Sequence, residues 1–349
     1  MPAVFFCADP NEFMRISVLS KCVAGLAIPL LAVWLTAGEQ PWQELASLPE
    51  PNGGFICGES AGAIFVVGGT NWTGGQKHWL RTVHRLDLAT LRWSSLEPLP
   101  QSLAYALGGS GAGGLLIAGG STGSAVFTGV VRVVGEKVTF DANNGIKVPA
   151  VLSFGGLVGD ELVWVGGTDD AANAKGFRRD AYAWNVHTGQ QRALAPYPGP
   201  ASGLAAAAVA GDELFAFGGA GWDATTGSVA NLTVAYAYAP RQDAWRRLSP
   251  LPYAVRGLAA VRVDDQHIYL AGGYTGDAKE FTGQAFLYDI SQDRYTPAAP
   301  LPYSGCVSLV ASGDFVYCLG GEDQQRHRSA AVYRSKVSAL IQTLGRTER

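Results

Sequence analysis

Glu322 and Arg328 stand with five residues between them in the stretch GEDQQRHR, directly after an apolar run and a Gly-Gly pair. A positioned carboxylate can take or give a proton in a transition state, a step typically worth about 10²–10⁴-fold. An arginine can fork a carboxylate or steady a developing oxyanion. Comparable loops elsewhere in the chain carry Asn71, Trp72 and Lys77, then Arg178, then Trp222, then Glu280, and Arg256 sits in LPYAVRGLAAV. Brought together, these groups suit a polar ligand with an anionic group, such as a sugar acid. Aromatics cover ring faces, amides read hydroxyls and arginine holds the acid. A plainer role stands beside this one. Glu322 can be an ion-pair partner of Arg326 or Arg328, Arg256 can pack between repeats, and most loop charges are simply solvated.

Apolar runs ending in Gly-Gly recur at 68–69, 119–120, 166–167, 218–219, 272–273 and 320–321, about fifty residues apart. A second element repeats behind them: Trp93 leads to Leu99-Pro100, Trp245 to Leu251-Pro252 and Tyr295 to Leu301-Pro302, with a weaker copy from Gln191 to Tyr197-Pro198. Short runs rich in Val, Leu, Tyr and Phe, bounded by Gly and Asp, read as strands. Gly-Gly ends the second strand of each unit, where the backbone needs positive φ or a close approach. A period near fifty in this form is the kelch repeat, whose four-stranded units bury their faces by stacking around an axis. The expected fold is therefore an all-β, six-bladed kelch-type β-propeller.

The last unit runs out of chain after its third strand. Its missing outer strand is expected in PWQELASLPEP, where Trp42, Leu45 and Leu48-Pro49 match the spacing of the other units. An N-terminal outer strand then closes the ring and removes an open sheet edge. Within each blade the loops after Gly-Gly and the connections after Leu-Pro open on one face, and that face is the expected site.

The composition agrees. The chain has 349 residues, 48% of them hydrophobic, only 16% charged, and 45 glycines. Its net charge of −3 and the lack of a basic run argue against nucleic acid as a partner. Residues 1–38 end in CVAGLAIPLLAVWLTAG, an apolar segment behind Arg15 and Lys21 that reads as a signal peptide, with a retained anchor as the alternative. A periplasmic or secreted protein without a stable membrane span is expected, with the propeller over 39–338 and a polar tail over 339–349. Cys306 and Cys318 fall on two strands of one hairpin, where they can pair or remain buried free thiols. The five histidines are scattered and no Cys-x2-Cys occurs, so neither a metal nor another cofactor is expected.

Within the kelch proteins the chain resembles the bacterial N-acetylneuraminate epimerases (sialic acid mutarotases) and their cyclically permuted relatives. The resemblance rests on the leader followed directly by the closing strand, on the six units, and on Glu322 and Arg328 before a strand in register. It departs in lacking a Gly-rich middle in that loop and in placing the loop in the last unit. It implies mutarotation without metal or nucleotide, with Glu322 as acid/base and Arg328 holding the substrate carboxylate or oxyanion. The alternative from another class is a non-catalytic module that binds a glycan or protein through the same face.

Overall fold

The computed structural model describes residues 41–276 and 280–341. The reading of a leader over 1–38 lies outside these residues, as does most of the polar tail over 339–349. Among the described residues no helix is long and apolar enough to cross a membrane.

Six four-stranded antiparallel sheets are present among the described residues. The first blade joins Ile56–Ser60, Ala63–Val67, Val83–Asp87 and Arg92–Ser95. Four more follow in chain order. The sixth joins Cys306–Ser312, Phe315–Glu322 and Val332–Lys336 with Trp42–Glu44, whose Trp42 lies opposite Ser335. The second strand of each blade is wholly apolar or nearly so and buried on both faces, as in Ala63–Val67 and Gly114–Ala118. Continuous apolar runs fit strands covered by a neighbouring blade on either side. The innermost strands hold more small residues, as in Leu107–Gly111 and Ala206–Ala210.

Each Gly-Gly pair has one repeated task. The second glycine donates its amide to a carbonyl in the next connection: Gly69 to Leu103, Gly120 to Ala150, Gly167 to Ser202, Gly219 to Val255, Gly273 to Gly305 and Gly321 to Asn52, all at 2.8–2.9 Å. The approach is too close for a side chain. A Cβ on Gly321, at φ 96°, would stand 2.1 Å from the Cys306 carbonyl oxygen. The Gly321–Asn52 bond links the last unit to the first connection. Asn52 is buried and fully bonded there, giving Nδ2–H to Gly68 O at 2.8 Å and accepting Thr70 N–H at 3.1 Å.

The outer aromatics latch neighbouring blades. Trp93 Nε1 donates to Ala46 O at 2.9 Å, Trp245 Nε1 to Ala195 O at 2.8 Å and Tyr295 OH to Ser249 O at 2.8 Å. Trp42 Nε1 reaches Pro300 O at 2.8 Å across 258 residues of sequence. In the third blade Gln191 takes the aromatic's place and accepts Lys147 N–H through Oε1 at 2.7 Å. Packed structure continues past residue 338: Val337–Ile341 is a short helix with Leu340 fully buried. Cys57, Cys306 and Cys318 are free thiols, and Cys318 faces Leu309 rather than Cys306 across the hairpin.

Candidate functional site

The two loop classes meet on one face, as their order in each blade requires. Gly53 bridges Thr70, Ala104 bridges Ser121, Val151 bridges Thr168 and Arg256 bridges Tyr274. In the sixth blade the same pairing sets Cys306 opposite Glu322. A belt of amides joins these connections inside the loop face: Tyr105 N donates to Gly54 O, Leu152 N to Tyr105 O, Leu204 N to Leu152 O and Gly257 N to Leu204 O, at 2.9–3.1 Å.

Glu322 therefore ends the second strand of its blade beside the innermost strand. Arg328 Nη1 lies 2.8 Å from Glu322 Oε1, with the side chains 6% and 15% exposed respectively. From there Arg328 crosses to the first blade. Its Nε donates to Thr70 Oγ1 at 3.4 Å, and its aliphatic stem lies on Gly53, where a Cβ would stand 2.5 Å from Cδ. Burial lowers the Arg328 pKa, but the Glu322 charge and the Tyr105 side chain raise it further, and the net direction is up. The guanidinium is a fixed cation.

Tyr105 completes this side of the cluster. It belongs to the connection between the first and second blades and holds a φ of 57°. Its ring lies against Gly54, where a Cβ would come 2.4 Å from Cε1. Thr70 gives its hydroxyl hydrogen to Gly53 O at 2.9 Å, which leaves Tyr105 OH as donor in the 3.4 Å contact with Thr70 Oγ1. Lys77 Nζ lies 4.7 Å from the Tyr105 ring centre and 4.9 Å from that of Trp79. Burial pushes the Tyr105 phenol up. Lys77 and Arg328 together outweigh burial, so its pKa falls below the ordinary phenol value.

On the other side stands Arg256, stacked 4.3 Å over Tyr274 and donating from Nη1 to Asn231 Oδ1 at 2.8 Å. Burial lowers its pKa, against the opposing effects of Tyr274, Cys306 and Glu322. The Glu322 charge thus acts on both arginines. The Cys306 thiol lies in the same field, pushed up to about 12 chiefly by burial.

The remaining predicted groups are placed as follows. Trp72 pairs across its hairpin with Lys77, carries Arg326 at 5.7 Å over its ring, and has a buried Nε1 that finds no hydrogen-bond partner among the described residues. Asn71 turns its Oδ1 to the Trp72 amide at 2.7 Å. Arg178 gives Nη2–H to Pro149 O at 2.7 Å, and Trp222 stacks with Lys175 at 4.9 Å. Glu280 is exposed at φ 56°. Lys77, Arg256, Glu322 and Arg328 are thus drawn into one cluster, while the contacts of Asn71, Arg178, Trp222 and Glu280 lie within their own loops and connections. The sequence reading missed Tyr105, Thr70 and the floor formed by Gly53-Gly54. No sequence signal set Gly53-Gly54 apart, because Gly74-Gly75, Gly108-Gly109, Gly113-Gly114 and Gly155-Gly156 are also out of step with the six pairs.

A depression of about 730 Å³ is lined by Tyr253, Thr275, Phe281, Gln284 and Tyr303 among others. It is lined by none of the cluster's charged groups. Among the described residues no three His, Cys, Asp or Glu side chains are grouped to hold a metal.

Two segments, residues 57–100 and 256–302, match the Kelch motif. The chain is a kelch-repeat β-propeller. Its fold is similar to the solved structure of YjhT, with a TM-score of 0.67 over 82% of this chain and 95% of that one, at 14% identity. In sequence it is similar to Kelch-like protein 35 of Mus musculus, 31% identical over 50% of this chain and 27% of that protein. Kelch-like protein terF of Aspergillus terreus is 31% identical over 33% of this chain and 26% of that protein. The chain thus spans about a quarter of the length of these two relatives.

Proposed function

We propose that this kelch propeller is an exported sugar-acid mutarotase that interconverts the anomers of N-acetylneuraminate. The observation that carries the reading is the withdrawn Glu322–Arg328 pair at 2.8 Å, set among Arg256, Tyr105 and Lys77 at the loop end of the innermost strands. Opening a cyclic hemiketal needs a group to take the anomeric hydroxyl proton and charge to steady the oxygen that develops. Glu322 is suited to the first task and the cationic surroundings to the second. The substrate carboxylate is assigned to the same cations, Arg328 and Arg256, which both feel the Glu322 charge. Proton NMR of freshly released α-N-acetylneuraminate tests the reading. Faster approach to the β-anomer with catalytic protein, lost in Glu322→Ala and Arg328→Ala, supports it. No acceleration by folded protein overturns it.

A second reading is a non-catalytic module that binds a glycan or protein through this face. Trp72, Trp79 and Trp222 favour it, since each is half-buried with a cation stacked on its ring. Retention on immobilised sialoglycans without anomer exchange would support that reading.

A further inference from the structure

Ring opening of a hemiketal moves two protons, and one carboxylate accounts for only one of them. Arg328 meets Glu322 at 2.8 Å, and its Nε shares Thr70 Oγ1 with the Tyr105 hydroxyl, each at 3.4 Å. Tyr105 as a whole is half-buried, and its ring sits in the connection beside the cluster. Several features hold it in place. Its amide donates to Gly54 O at 2.9 Å, its ring needs the bare face of Gly54, and its backbone keeps a φ of 57° that few non-glycine residues adopt. The same backbone recurs at Leu152 and Leu204, with φ of 56° and 57°, so the repeat itself fixes where the Tyr105 ring stands.

We propose that Tyr105 is the second proton-transfer residue of the site, acting on the ring oxygen while Glu322 acts on the anomeric hydroxyl, with Lys77 as its positioning residue. This rests on the mutarotase reading above. In the forward direction the bond from the anomeric carbon to the ring oxygen breaks and its electron pair stays on that oxygen. The ring oxygen takes the phenol proton of Tyr105. The anomeric hydroxyl gives its proton to Glu322, and its O–H pair becomes the second bond of the carbonyl. After rotation the open-chain hydroxyl attacks the other face of the carbonyl and returns its proton to the Tyr105 phenolate. The carbonyl oxygen recovers the proton held by Glu322. Both side chains end as they began, and no other reactant is consumed. A phenol whose proton is loosened by Lys77 and Arg328 is suited to both directions.

The test follows anomer exchange by NMR from about pH 6 to 10 with the full chain, Tyr105→Phe and Lys77→Met, beside an ultraviolet titration of tyrosinate. Tyr105→Phe keeps the same backbone and ring, so a native circular dichroism spectrum is expected. Exchange should slow about 100-fold and the first tyrosine to ionise should vanish. Lys77→Met should keep the phenol but shift both its titration and the basic limb of the rate profile to higher pH. A purely structural Tyr105 would not move the two together. An active parent whose Tyr105→Phe variant is equally active overturns the role alone, as does an unmoved basic limb in Lys77→Met. An inactive parent overturns the mutarotase reading and this role with it.

Discussion

The side chain of Arg328 lies across Gly53, and a Cβ at that glycine would stand 2.5 Å from Arg328 Cδ and 2.7 Å from Nε. Unlike Gly54, Gly53 does not have a positive φ. Alanine there meets a side chain rather than backbone strain. Gly53→Ala should therefore shift Arg328 off Thr70 and away from Glu322, and cost about 3 kcal/mol in a denaturant titration, as breaking a withdrawn pair does. Anomer exchange, or binding of N-acetylneuraminate by calorimetry, should fall at least tenfold in the same variant. A variant with unchanged binding would mean that the position of Arg328 is immaterial.

Glu322 and Arg328 should be strongly coupled. Removing one member of a withdrawn pair leaves the other charge uncompensated, at a typical cost of about 3–5 kcal/mol, whereas replacing both costs less than the two losses added. Urea melts of Glu322→Gln, Arg328→Met and the double variant form the cycle. We expect the double variant to be more stable than the sum of the singles by about 1–3 kcal/mol. Strict additivity would mean the pair is held apart by solvent.

Ring closure depends on the N-terminal strand. Trp42→Phe keeps most of the buried ring but loses the bond to Pro300 O at 2.8 Å, and should cost about 1 kcal/mol. A chain starting at Pro51 would lose Trp42–Glu44 altogether and bare the edge of Val332–Lys336. Unpaired edges associate, so light scattering should detect oligomers of that chain at concentrations where one starting at Gln40 stays monodisperse. Equal behaviour of the two chains would dismiss the closing role.

The fold was legible because its signals are local and repeated. Gly-Gly marks the end of each second strand, and Trp93 and Trp245 mark the outer strand wherever they occur. Trp42 could be assigned to the last blade by matching the same spacing. The Glu322–Arg328 pair was legible because both lie in one short loop. Tyr105 and Thr70 were not, because they meet Arg328 only after the ring closes, with 258 positions between Thr70 and Arg328. Arg178 was expected as a ligand group, and one of its five N–H donors goes to Pro149 O. A backbone carbonyl acceptor has no sequence signature, so periodicity could not exclude that bond.

The three described thiols should be inert in the folded protein. Burial pushes Cys57, Cys306 and Cys318 each up to about 12, leaving a negligible thiolate fraction near pH 8. Iodoacetamide labelling followed by peptide mass spectrometry should find them unmodified until urea unfolds the chain. Rapid labelling of native Cys306 alone would show that its side of the cluster opens.

Acid should weaken one inter-blade link in particular. Tyr238 OH donates to Asp243 Oδ1 at 2.6 Å, and the same oxygen accepts Ala195 N–H from the preceding connection at 2.9 Å. The Tyr238 bond is the main cause that holds the Asp243 carboxyl below the usual carboxylate range, with the Ala195 amide next. A carboxylate depressed in the fold contributes stability that is complete above its ordinary value near 3.9 and is lost as pH falls through its lower folded value. Asp243→Asn keeps the shape and tolerates the φ of 46° at this position. At pH 6 the variant should be less stable by about 1 kcal/mol, towards the low end for a charged acceptor because Asp243 is exposed. Urea midpoints at pH 6, 4 and 3 should bring the two curves together as acid protonates the parent. A gap of constant size down to pH 3 would show that the Asp243 charge adds nothing to the link.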